Sequence, residues 1–124
     1  MSKTRVLIVD DAIFMRNMLK DIFGEEQFEV VGEAANGVEA VEKHRELQPD
    51  ITTMDIVMPF KSGIEATKEI LSEDANALII MCSALGQESL VMEAIEAGAA
   101  DFVVKPFKAD DVQRVVSKVL DSRQ

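Results

Sequence analysis

RVLIVDD, residues Arg5 to Asp11, opens with a short apolar, β-rich run, Arg5–Val9, and closes abruptly on two adjacent carboxylates. Similar runs follow at Phe28–Ala34, Asp50–Met54, Leu78–Cys82 and Phe102–Val104. Runs of this length and composition, bounded by turn residues, read as strands. The segment after each run carries apolar residues at helical spacing. Phe14, Met18 and Ile22 mark one face of the first, and Val38, Val41 and Leu47 mark the second. Ile64, Thr67, Ile70 and Leu71 mark the third, and Leu90, Val91, Ala94 and Ile95 the fourth. In the fifth, Val112, Val115, Val116 and Val119 stand at i, i+3, i+4 and i+7. Gly24, Asn36-Gly37 and Pro49 punctuate the turns, and Gly98 stands where the fourth helix should end. Five such units predict an α/β fold: a single (βα)5 open parallel sheet covered by helices on both faces, since a barrel needs eight. In open sheets of this kind function lies beyond the carboxyl ends of the strands.

The 124 residues suit one domain. With 13 Lys+Arg against 23 Asp+Glu the net charge is −10, which opposes nucleic-acid phosphate and anionic membrane surfaces. The absence of Trp and Tyr also leaves few platforms for stacking bases. The single cysteine, Cys82, excludes an internal disulfide. With His44 the only histidine, a Cys/His zinc site is excluded too. Met1 to Arg5 leads into four apolar residues, too few for a signal-peptide core. No stretch approaches the ~20 apolar residues of a membrane span. The expected compartment is the cytoplasm.

The strand ends carry the chemistry. The first ends Val9-Asp10-Asp11, the third Met54-Asp55, the fourth Cys82-Ser83-Ala84 and the fifth Val104-Lys105-Pro106. The second ends Glu33-Ala34-Ala35 and offers nothing evident. Taken singly, Asp10, Asp11 and Ser83 read as helix caps, Asp55 as a turn starter before Pro59, and Lys105 as a solvated lysine. Taken together they occupy the one rim where α/β sites lie. If the first and third strands are neighbours, three carboxylates converge and repel one another. A hard divalent cation removes that conflict, and an all-oxygen set with few protein groups suits Mg²⁺. Mg²⁺, Lys105 and the Ser83 hydroxyl around one free carboxylate make a receptacle for a phosphoryl group, with the carboxylate as nucleophile.

The ordered set Asp10-Asp11, MDIVMP (Met54–Pro59), Ser83-Ala84 and Lys105-Pro106 resembles the receiver domain of two-component response regulators. The stretches VLIVDDAIFMRNMLKDI and MCSALGQESLVMEAIEAGAADFVVKPF place it nearest the single-domain chemotaxis members, and the resemblance spans the whole chain. It implies a doubly wound, flavodoxin-like sheet of order 2-1-3-4-5 and one receiver domain over residues 1–124 with no effector domain. Asp55 is then the phosphoacceptor. Asp10 (largely through water), Asp11, Asp55 and the Val57 backbone carbonyl hold Mg²⁺. Ser83 is the switch hydroxyl, with small Ala84 leaving it room. Lys105 binds phosphoryl oxygen, its bond to Pro106 commonly cis. Phe102 is the aromatic switch residue. Met92, which points off its helix's apolar face, joins Phe102 and Ser83 on a partner-binding face. Val57 and Leu85 flank the path of a hydrolytic water.

The implied partners are a chemotaxis histidine kinase as donor, the flagellar motor switch protein as target and a separate phosphatase, with no nucleic acid or membrane, and the chain a monomer. It is then no enzyme beyond self-catalysed phosphotransfer and autodephosphorylation. A phosphorelay intermediate that passes phosphate to a histidine phosphotransfer protein is the nearest rival. A haloacid dehalogenase-type phosphatase wants a second Asp where Ala12 stands. A flavodoxin-like FMN protein wants a Ser/Thr/Gly-rich loop where Asp10–Ile13 is acidic. The chain departs from the family pattern at Phe60-Lys61-Ser62, in the loop after Asp55. Thr52 interrupts an apolar strand, and its hydroxyl is expected to bond locally to backbone. His44 and Cys82 read as packing residues.

Overall fold

A computed structural model describes residues 3–122; Met1, Ser2, Arg123 and Gln124 lie outside the described residues. The elements alternate: β1 (Thr4–Val9), α1 (Ile13–Ile22), β2 (Phe28–Ala34), α2 (Gly37–Leu47), β3 (Ile51–Asp55), α3 (Gly63–Glu73), β4 (Ile79–Ser83), α4 (Glu88–Glu96), β5 (Asp101–Val104) and α5 (Ala109–Ser122). All strand pairs are parallel, in the order β2-β1-β3-β4-β5. This is the expected doubly wound sheet. Val9 pairs with Met54, so Asp10 and Asp55 are the next residues in register on adjacent strands.

Side chains alternate across the pleat, so the sheet feeds two cores. Leu7, Val9, Met54, Ile79 and Met81 pack in one cluster with Ala40, Val41, Ile64, Ile70, Val91 and Ala94 from α2, α3 and α4. Val6, Ile8, Ile51, Ile80, Cys82 and Val103 pack in the other with Leu19 and Phe23 and with the valines of α5. Gly98 ends α4 as expected: at φ +113° its N–H donates to Ile95 O (3.0 Å), while Ala99 N–H reaches Ala94 O (3.1 Å). Among the described residues no helix is long and apolar enough to cross a membrane.

Some expected inward residues point out. The face of α1 that packs is Met15, Met18, Leu19 and Ile22, whereas Phe14 is 68% exposed. Each i+4 step advances ~40° beyond a full turn, so a line drawn through Phe14, Met18 and Ile22 slants off the buried stripe. Val38 and Ile95 fall outside the buried stripes of α2 and α4 in the same way. The expectation for Thr52 also fails. Its hydroxyl is buried with no hydrogen-bond partner among the described residues. The strand is paired on both sides, to Leu7 and Ile79, so the backbone groups nearby are already bound in the ladder.

His44 is buried at 4% exposure in α2. Burial lowers its pKa, and the nearby Asp74 and Glu73 only partly offset this. The unfolded chain therefore binds the extra proton more readily. His44's contribution to stability is complete above the unfolded pKa of ~6.5 and is lost as pH falls through that value toward the lower folded one. His44→Phe is expected to remove this acid-side loss, read as a smaller drop in Tm between neutral and mildly acidic pH. An identical drop in both proteins would contradict the assignment.

Candidate functional site

β1 and β3 end side by side and deliver their carboxylates to one point. Carboxylate oxygens of Asp10, Asp11 and Asp55 lie within 4.8 Å of one another. Asp10 and Asp55 are buried; Asp11 is exposed. The Lys105 ammonium enters from the end of β5, 2.9 Å from Asp10 Oδ2 and 3.1 Å from Asp55 Oδ1. The cap reading of Asp10 and Asp11 does not hold: the N-cap of α1 is Ala12, which makes no side-chain cap bond, and Asp10 Oδ1 accepts from Ala12 N–H at 2.9 Å.

Asp55 Oδ1 accepts from Ile56 N–H at 3.0 Å. Burial, and then the Asp10 charge, push the Asp55 pKa up to about 6 against the pull of Lys105. Burial alone would lower the Lys105 pKa, but Asp10 and Asp55 outweigh it and raise it. The donor set fits a hard cation. It is all oxygen and carries three carboxylates against one ammonium.

Ser83, the last residue of β4, is buried, and its hydroxyl donates to Val103 O at 3.5 Å, the outer limit of a hydrogen bond. So loose a bond leaves the hydroxyl able to change partner. Ser83 also lines a groove of about 250 Å³ with Ala84, Leu85, Met92, Phe102 and Val104. The groove joins the buried hydroxyl to the exposed Met92 and Phe102. Val57 and Leu85 are both exposed. Cys82 lies fully buried beneath, and its thiol pKa is raised by burial. The Lys105–Pro106 bond is cis.

The loop after Asp55 is pinned despite its unusual composition. Gly63 N–H donates to Ile56 O (2.8 Å), and Gly37 N–H to Lys61 O (3.0 Å). Ser62 and Glu65 form a capping box at the start of α3, and Lys61 pairs with Glu69. Phe60 is left at the tip, at φ 70° and 89% exposed.

Sequence reading missed one group. Glu33, from the end of β2, binds Arg16 Nε (2.9 Å) and Lys20 Nζ (3.0 Å), and Arg16 also donates to the Asp10 carbonyl at 2.6 Å. Burial acts to raise the Glu33 pKa, but the hydrogen bonds from Lys20 and Arg16 win and lower it. The available signal was a basic pair at i, i+4 on α1 beside a strand that ends in Glu.

The site and the fold agree with known proteins. A family model described as response regulator receiver domain matches residues 6–117. The chain is 62% identical over 115 residues to the chemotaxis protein CheY of Thermotoga maritima, covering 93% of this chain and 96% of the relative. It is 60% identical over 117 residues to the Bacillus subtilis CheY, covering 94% and 98%. A chain in the crystal structure of the CheX-CheY-BeF3-Mg²⁺ complex from Borrelia burgdorferi superposes with a TM-score of 0.90 at 42% identity, covering 95% of this chain and 90% of that one. Neither the phosphatase nor the FMN alternative is favoured by these likenesses. With three strand-end carboxylates, a lysine and a hydroxyl set on this sheet, the chain belongs to the response regulator receiver domain family as a CheY-like member.

Proposed function

We propose that this chain works as a receiver that accepts a phosphoryl group on Asp55 from a chemotaxis histidine kinase and signals as a cytoplasmic monomer to the flagellar motor switch. The observation that carries the reading is the convergence of Asp10, Asp11 and Asp55 with Lys105 on the rim of adjacent strands. An Asp55 carboxylate oxygen attacks phosphorus, and the bond from phosphorus to the donor histidine nitrogen breaks, its electron pair staying with nitrogen. Lys105 offsets charge on the equatorial oxygens. Asp11, Asp55 and the Val57 carbonyl, with Asp10 largely through water, would hold Mg²⁺, which when bound would supply the remaining positive charge. The Borrelia burgdorferi complex supports both parts, since it contains Mg²⁺ and BeF3, an anionic stand-in for a phosphoryl group, and its CheX chain supports a further protein partner, which we take to be the separate phosphatase.

Phosphorylation would draw the Ser83 hydroxyl from its 3.5 Å bond into a charge-assisted one. That movement changes the wall of the groove and biases where Phe102 sits. Ser83→Ala is expected to accept phosphate yet lose most of the phosphorylation-dependent gain in binding a motor-switch peptide, measured by titration. An undiminished gain in Ser83→Ala would contradict the switch. Transfer of phosphate to a histidine phosphotransfer domain, with no gain for the motor-switch peptide, would favour the relay instead.

Val57 and Leu85 are apolar and cannot orient a water by hydrogen bonding. Orientation of the nucleophile is a large part of phosphoryl-transfer catalysis. Val57→Asn/Leu85→Glu is expected to lose its aspartyl phosphate faster than wild type when the donor is removed and decay is followed. Equal decay would mean the two side chains only pack the loops.

A further inference from the structure

Asp11 is the exposed member of the acidic triad, and none of the hydrogen bonds among the described residues involves its carboxylate. The backbone sets the direction of its Cα–Cβ bond, and so the region its carboxylate can reach. The peptide plane joining Asp10 to Asp11 is where that direction is set, because the Asp10 carbonyl and the Asp11 N–H share it. Arg16 grips that carbonyl at 2.6 Å through one guanidinium nitrogen. Its Nε is spent on Glu33 Oε1 at 2.9 Å, and the other Glu33 oxygen is held by Lys20 at 3.0 Å. The Arg16 side chain is largely buried. On the other side, Asp10 N–H donates to Ala34 O at 3.0 Å, and Asp10 Oδ1 holds the N–H of Ala12. Both peptide planes flanking Asp11 are thus tied down, one of them by Arg16.

We propose that Arg16, braced by Glu33 and Lys20, is a positioning residue that aims Asp11 at the divalent cation. The inference rests on the Mg²⁺ reading of the triad given above. Electrostatics and positioning predict opposite signs. Arg16 carries a positive charge beside a cation site, so removing that charge by Coulomb's law alone would tighten Mg²⁺ binding. Removing a bond that orients a ligand from the outer shell weakens metal binding, typically 10–100-fold.

The test is isothermal titration of Mg²⁺ into the full chain at a temperature where every variant is folded by circular dichroism. Arg16→Gln is expected to bind Mg²⁺ roughly tenfold more weakly than wild type. Arg16→Lys keeps the charge but cannot bridge the Asp10 carbonyl and Glu33 with one forked head, so it should also bind more weakly. It further serves if Arg16→Gln does not fold. In an Asp11→Ala background Arg16→Lys should cause no further loss, because the aimed ligand is gone. Unchanged or tighter binding in Arg16→Lys would overturn the inference while leaving the triad intact. If wild type bound Mg²⁺ no better than Asp11→Ala, the metal reading itself would fail and carry the inference with it.

Discussion

Asp55→Asn is expected to be more stable than wild type at neutral pH in the absence of divalent ions, although it removes the proposed phosphoacceptor. The folded pKa of Asp55 is raised to about 6 by burial and by the Asp10 charge. Against an unfolded value of ~3.9, keeping Asp55 ionised costs roughly 2–3 kcal/mol at pH 7. An amide of the same shape avoids that cost, and Lys105 keeps its partner Asp10. For a chain of this size the gain is a rise in Tm of roughly 5–10 °C.

The pH dependence follows with its sign. An acid whose folded pKa is raised takes up its proton earlier in the folded state. This group's penalty is therefore full above about 6 and fades as pH falls toward its unfolded pKa. The Tm gap between Asp55→Asn and wild type should narrow on acidification. His44 tilts stability the other way, but equally in both proteins, so it cancels in the difference. Mg²⁺ should also narrow the gap, since it binds the folded wild type and the amide loses a ligand. Thermal melts in chelator, with and without added Mg²⁺, check both. An Asp55→Asn protein less stable than wild type in chelator would contradict the account of crowded carboxylates.

The second large effect is expected from a single methyl group. A Cβ on Gly63 would fall 1.9 Å from the backbone oxygen of Asp55 and 3.1 Å from Ile56 Cα. Neither neighbour is a flexible side-chain end. The start of α3 must retreat or the end of β3 must shift, and either strains the Gly63–Ile56 hydrogen bond. Such overpacking costs about 2–3 kcal/mol, more than alanine regains as a helix former. The function should suffer more than the fold. A displacement of the nucleophile on the order of 1 Å can cost about 100-fold in rate. Gly63→Ala is therefore expected to melt lower and, at a temperature where it is folded, to accept phosphate from a small donor far more slowly. Wild-type stability and rate in Gly63→Ala would show that α3 does not bear on Asp55.

Strand positions and the open parallel α/β plan were legible because each strand is short, apolar and bounded by turn residues, and because Asp10, Asp55, Ser83 and Lys105 all stand at strand ends on one rim. The strand order came from family resemblance, and the register from the structure. What failed was angular. Phe14, Val38 and Ile95 are apolar and close to the right spacing, but each lies at the margin of its stripe, where a few tens of degrees decide between core and solvent. Thr52 failed for a different reason, since a hydroxyl in a doubly paired strand finds its neighbouring backbone already bonded. The Arg16–Glu33 brace was hidden because its two halves lie 17 residues apart, and only the pairing of β1 with β2 brings them together.

Intact-mass spectrometry after incubation with a small phosphodonor tests the central claim most directly. Wild type in Mg²⁺ should gain the mass of one phosphoryl group, lose that gain in chelator, and localise it on fragmentation to the peptide containing Asp55. Asp55→Asn should gain nothing under the same conditions. A Mg²⁺-independent gain, or an equal gain in Asp55→Asn, would contradict Asp55 as the acceptor in a metal-assisted site.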